Sequence, residues 1–407
     1  MTAPERATFS ALTSGNGVSL MSAVAGPDLS ARGYVEEEHR ASGETPAPYA
    51  TRVVVRRPVS GGSGTLVVEW LNVSSGQDSA PDWTYLAEEV VRRGHAWAGV
   101  SAQQVGVEGG EPRVATGIAL QGLKTLDPER YGDLAHPGDE HAHDIFTQVA
   151  RGLAEDLGAT CVLAIGESQS AFALTTYLNL VHERAGLFDG FLVHSRGGGA
   201  LHTDEPTPIR TDLGAPVIVV QAEGDILGRL NYVVARQPDA ARLRVWEVAG
   251  SAHADLFQIG AFESFLGCSD PVNRGQQAYV VRAALRWLDG WARGGPAAPS
   301  AAPLEVVGDA FVLDEHGNVC GGVRTPVVDA PADVLSGHGA PGASPICELF
   351  GRTLPLARDP WASHADYLAA YEVATDAAIS AGFVLPEDRD AVLGEARGSV
   401  RVAEVPG

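Results

Sequence analysis

The chain is almost without lysine. Of its 29 basic residues, Lys124 alone is not arginine, and 51 acidic residues leave a net charge of −22. So acidic a surface repels polyanions, which excludes nucleic acid and anionic membranes as expected partners. Cysteine is also scarce: Cys161, Cys268, Cys320 and Cys347, with no CxxC pair. That argues against a zinc cluster or a dithiol redox centre. Cys161 sits in an apolar run and reads as a small core residue. A Cys320–Cys347 bridge is the pairing to consider, although a reducing cytoplasm would count against it. No apolar run approaches the ~18 residues of a membrane span. The opening stretch MTAPERATFSALTSGNG lacks a basic segment followed by an apolar one, so no secretion signal is expected and the expected compartment is the cytoplasm. Internal repeats and low-complexity tracts are missing.

What is present is an alternation of valine-rich and amphipathic segments. TRVVVRRPV (51–59) and TLVVEWLNV (65–73) predict strands bounded by glycine. APDWTYLAEEVVRRG (80–94) predicts a helix, AWAGVSAQ (96–103) a strand, and HDIFTQVARGLAEDLG (143–158) an amphipathic helix. Strands follow at Cys161, at GFLVHS (190–195), at PVIVVQAEGD (216–225) and at RLRVWEVAG (242–250), then a long helix over 276–295. Such alternation implies an α/β fold, a mostly parallel sheet covered on both faces. With 407 residues and 45% hydrophobic composition, the chain can bury a sizeable core. The boundaries read as a catalytic core with N-terminal strands over 1–295, a linker over 296–303 and an accessory region over 304–407 packed on the core.

The most informative stretch is CVLAIGESQSAFALTTYLN (161–179), where a strand runs straight into a helix with a serine at the junction. Gly-x-Ser-x-Gly in that setting is a nucleophile elbow, a turn so tight that only small residues fit beside the serine. Here Gly166 supplies the first, and Ser170 stands in for the second glycine. The elbow puts the Gln169 N–H at a helix N-terminus, where a developing oxyanion is stabilised. A serine hydroxyl needs a base and an orienting acid, in chain order serine, acid, histidine. Asp225 ends one later strand and His253 follows the next. Glu223 is the alternative acid. The second oxyanion donor falls in the loop after LVVEWLN, with Val73 the first choice and Ser74 the alternative. Asn72 in that loop and Arg196 in SRGGGA (195–200) are substrate-pocket candidates. HPGDEHAHD (136–144) offers His141 and His143 as metal ligands, but it reads better as a loop entering a helix, so neither metal nor cofactor is expected.

At this point the sequence resembles the alpha/beta hydrolase superfamily, and more narrowly a bacterial group of "alpha/beta hydrolase domain" proteins. The likeness rests on VVEWLNVSSGQDSAPDW, GLKTLDPERYGDLAHPGD, AIGESQSA, DGFLVHSRG, ARQPD, WEVAGSAHAD, GGVRTP and CELFGRTLPL, which span most of the chain. The resemblance implies an α/β-hydrolase fold and serine-ester hydrolase chemistry on a small-molecule carboxylic ester or lactone. An amidase or acyltransferase would use the same triad, and a catalytically silent binding protein is the rival of another class. Oligomeric state is not readable from the sequence.

Overall fold

The structure is a computed structural model describing residues 5–22, 24–112 and 121–399. Nine strands form its main sheet: β1 (Thr8–Ala11), β2 (Tyr34–Thr45), β3 (Ala47–Pro58), β4 (Thr65–Trp70), β5 (Ala96–Val100), β6 (Cys161–Glu167), β7 (Gly190–His194), β8 (Val217–Ala222) and β9 (Leu243–Val248). Their spatial order is β1-β2-β3-β5-β4-β6-β7-β8-β9. The first strands form an antiparallel meander, and β5, β4, β6 and β7 then pair in parallel. Every residue of β4, β6, β7 and β8 is buried, as expected for strands covered on both faces. The main helices are α1 (Pro81–Arg92), α2 (Ala142–Leu157), α3 (Gln169–Leu180), α4 (Gln277–Ala292), α5 (His364–Ser380) and α6 (Arg389–Ser399).

Two strands escape the sequence pattern. β2 carries the run Glu36-Glu37-Glu38-His39-Arg40, which shows no apolar alternation. Its acids are matched from neighbouring elements: Glu36 by Arg56 at 2.7 Å, Glu37 by Arg57 at 2.7 Å, and Glu38 by Arg130 at 2.7 Å. The short β1 pairs along β2 from Thr8 to Ala11.

Two compact units make up the chain. The first comprises Met1–Val219, Tyr232–Arg244 and Leu285–Ala298, and the second Val220–Asn231, Val245–Ala284 and Pro299–Gly407. Within the second, the region after the linker packs on the earlier segments. Tyr279 shares an apolar cluster with Tyr367, Tyr371, Val384 and Val392. Gln276 Nε2 donates to the Tyr371 hydroxyl at 2.7 Å, and Asn273 Nδ2 donates to the Ser336 carbonyl at 3.0 Å.

Candidate active site

Ser168 lies between the last residue of β6 and the first of α3, at φ 61° and ψ −121°. It is one of four non-glycine residues with positive φ among the described residues, with Ser195, His202 and Asn231. Such a backbone costs roughly 1–3 kcal/mol, so surrounding contacts must hold it. Here the Ser168 N–H donates to the His194 carbonyl at 2.9 Å, tying the turn to the end of β7. A Cβ on Gly166 would sit 2.9 Å from the Ser170 Cβ and 3.1 Å from Leu174 Cδ1. The turn therefore closes on itself, which explains why small residues stand at both 166 and 170.

The loop after β4 is braced beside this turn. Asn72 and Ser79 exchange backbone hydrogen bonds at 2.9 Å each. Asp78 accepts from the buried Arg52 guanidinium at 2.8 Å. Asn72 Nδ2 donates to the Glu167 carbonyl at 3.0 Å, while Asn72 Oδ1 accepts the Ser74 N–H at 2.8 Å. Asn72 is thus a brace between loop and elbow, and the Ser74 N–H is committed inside the loop. The Val73 N–H makes only a long contact, 3.4 Å, to Gln169 Oε1. The Gln169 side-chain Nε2 in turn donates to Gln103 Oε1, which also accepts from Trp70 Nε1 at 3.1 Å.

In the second unit, Asp225 and His253 come together. His253 Nδ1 lies 2.7 Å from Asp225 Oδ1, and Asp225 Oδ2 accepts the Ala222 N–H at 2.7 Å. With its proton on Nδ1, the imidazole carries its basic lone pair on Nε2. Glu223 is used differently. Its two oxygens accept the N–H groups of Gly250 and Gly337, each at 2.8 Å. Burial pushes its carboxyl up to about 7, opposed by those two donors.

Arg196 is fully buried rather than presented to a pocket. Its guanidinium donates to the carbonyls of Gly197, Gly199 and Thr207 and lies 5.6 Å from the Tyr232 ring centroid. Burial lowers its pKa to about 10. Two of the three histidines of 136–144 are separately engaged. His136 Nε2 meets the Ala102 carbonyl at 2.8 Å, and His143 Nε2 the Ala173 carbonyl at 3.2 Å.

The cysteine pairing differs from the sequence expectation. Cys347 bonds Cys268, with Cα atoms 5.5 Å apart, and Cys320 is free. Helix Pro345–Phe350 carries Cys347, and its Phe350 packs in one cluster with Val272, near Cys268 in sequence.

Sequence reasoning also passed over a polar cluster beside the elbow. Glu69, inside the fully buried β4, accepts from the Asp82 N–H at 3.1 Å, the Trp83 N–H at 2.9 Å and Trp97 Nε1 at 3.0 Å. It serves as the cap that Ala80 lacks a side chain to provide. Burial and the neighbouring Asp82 carboxylate hold its pKa well above the usual range. His194, ending β7, meets Asp82 Oδ1 through Nδ1 at 2.9 Å. The signal was available: an acid in LVVEWL and a histidine in FLVHS interrupt strands that are otherwise apolar.

Several solved structures are similar to this chain at low identity. Esterase Est22 is 14% identical, with 65% of this chain and 81% of that one covered and a TM-score of 0.38. A cold-adapted esterase from an Arctic intertidal metagenomic library is 12% identical, covering 52% and 84% with a TM-score of 0.35. A prolyl endopeptidase is 13% identical, covering 58% of this chain and only 37% of that longer one, with a TM-score of 0.34. A search of curated proteins finds no match. The family model for the alpha/beta hydrolase domain matches residues 3–394. Over nearly its whole length, then, the chain belongs to the alpha/beta hydrolase domain family.

Proposed function

We propose that the protein is a serine hydrolase that cleaves a carboxylic ester or lactone through an acyl-enzyme. The observation that carries this reading is the backbone of Ser168, held at positive φ between a buried strand and a helix, a strain of the kind stored where a nucleophile must be lifted clear of the sheet. In the proposed reaction, His253 accepts the Ser168 proton as the hydroxyl attacks the ester carbonyl. The electron pair of the carbonyl moves to oxygen, and the N–H groups of Gln169 and Val73 receive it. Ser74 is the weaker choice for that role, its N–H being already given to Asn72. His253 then returns the proton to the leaving alcohol. Water, deprotonated by the same imidazole, releases the acid and restores Ser168. Asp225, on Nδ1 of His253, holds the tautomer and stabilises the imidazolium. No cofactor takes part in these steps.

The test is Ser168→Ala assayed on aryl esters of graded acyl length. Loss of about 10³-fold or more in kcat with an unchanged melting temperature supports the reading. Wild-type turnover in that variant removes Ser168 as nucleophile. Amide and acyl-transfer products from the same assay separate the ester reading from an amidase or acyltransferase.

A further inference from the structure

The reaction above leaves one buried group of side chains without a task. Asp82 is the second residue of α1, Glu167 the last of β6 and His194 the last of β7. One ligand-type atom from each lies within 4.8 Å of the others. None of the three residues is more than 2% exposed. Among the described residues no other histidine, cysteine and carboxylate group of this kind occurs.

Two further observations bear on what the cluster is for. Asp82 Oδ2 and His194 Nε2 are buried and have no hydrogen-bond partner. A buried polar atom left unpaired is destabilising, and both of these belong to one cluster. In addition, among the described residues Asp82 meets one imidazole and no lysine or arginine. A buried carboxylate in that position is costly unless something positive joins it.

We propose that Asp82, Glu167 and His194 bind one divalent first-row transition-metal ion, of the zinc or manganese class. Two carboxylate oxygens and one imidazole nitrogen form a mixed donor set of the kind such ions take. The ion takes the place of the proton shared between His194 Nδ1 and Asp82, and gives the orphan Asp82 Oδ2 a partner. The 4.8 Å spread exceeds the ~3.4 Å between neighbouring ligands around a tetrahedral zinc, so small side-chain rotations complete the site. Glu69 already fixes the backbone of Asp82, as an outer partner of a ligand does. The ion's place in the architecture is structural. Glu167 precedes Ser168, and the carbonyl of His194 accepts the Ser168 N–H, so one ion clamps the two strand ends that hold the elbow. This site uses neither His253 nor the oxyanion donors and stands or falls apart from the hydrolase reading.

The experiment uses the full-length chain expressed with added Zn²⁺ and, separately, Mn²⁺, desalted and analysed by elemental mass spectrometry. About one retained equivalent is expected, with a melting temperature at least ~5 °C above that of chelator-stripped protein. His194→Ala is expected to lose the ion, and His141→Ala, in the histidine-rich segment, to keep it. Because His194→Ala can fail to fold, an anomalous difference map of the wild-type crystal at the metal edge locates the ion independently, with its peak expected between Asp82, Glu167 and His194. Less than ~0.1 equivalent of either metal on the wild type, or a peak elsewhere, overturns the proposal and leaves the cluster as a proton-sharing network.

Discussion

At the scale of single residues, the sharpest question is how two acids two positions apart divide their work. Asp225 touches His253, whereas both oxygens of Glu223 are spent on backbone N–H groups. Asp225→Asn is therefore expected to lower kcat/KM by about 10³–10⁴-fold, because the amide favours the wrong imidazole tautomer. Glu223→Gln should cost stability and leave kcat/KM within about tenfold. The opposite ranking in steady-state kinetics would hand the acid's role to Glu223. Glu223 also predicts a pH dependence. Its carboxyl titrates at about 7 when folded and at ~4.3 when unfolded. Between those values the folded chain keeps a proton that the unfolded chain has lost. The stabilising contribution is thus complete below pH ~4, falls as pH rises towards 7 and is level above. Urea titrations of wild type and Glu223→Gln across pH 4.5–7.5 should show the wild-type advantage shrinking by about 3 kcal/mol. An advantage that grows with pH contradicts the assignment.

At the scale of elements, α1 is set by a residue outside it. Glu69 receives the first N–H groups of the helix and the Trp97 indole. Glu69→Ala should strand three buried donors and cost roughly 3 kcal/mol or more in chemical denaturation. A loss below ~0.5 kcal/mol would show that water or a neighbour replaces the carboxylate. This cap illustrates which parts of the molecule are legible in sequence. The elbow could be read because a strand, a helix and a serine between small residues leave few other conformations. The stretch containing Asp225 could be read because the strand ahead of it is plainly apolar. β2 could not, since the run from Glu36 to Arg40 is apolar nowhere, and its charges are neutralised by arginines distant in sequence. Nor could the burial of Arg196, whose carbonyl partners come from a loop that folds around it. The bridge of Cys347 to Cys268 rather than Cys320 depends on contacts 79 residues apart, which spacing alone does not encode.

At the scale of the whole molecule, the region after the linker is part of a folding unit and not an appendage. It supplies the Gly337 N–H to Glu223, the Tyr371 hydroxyl to Gln276 and Asp388 to Arg282. Truncation after Gly295 removes all three partners along with the apolar cluster around Tyr371, and the product should be insoluble or unfolded. Limited proteolysis within 294–303 that releases a folded, fully active N-terminal fragment would contradict this. The disulfide gives a second whole-chain test. Alkylation of the denatured, unreduced protein should modify Cys161 and Cys320 alone, and all four cysteines after reduction. Labelled Cys268 beside a protected Cys320 would point to the other pairing. No helix among the described residues is long and apolar enough to cross a membrane. We propose the cytoplasm as the compartment. Cytosolic reductants oppose disulfides in most proteins, so the same alkylation on freshly lysed cells tests that proposal too.

The central claim is that Ser168 is a nucleophile activated by His253. Its most direct measurement is covalent capture by a fluorophosphonate probe, followed by intact mass and peptide mapping. The account predicts one adduct per chain, on Ser168, formed at least ~10²-fold more slowly in His253→Ala. A folded, esterolytic wild-type protein that takes no label, or takes it on another serine, would contradict it.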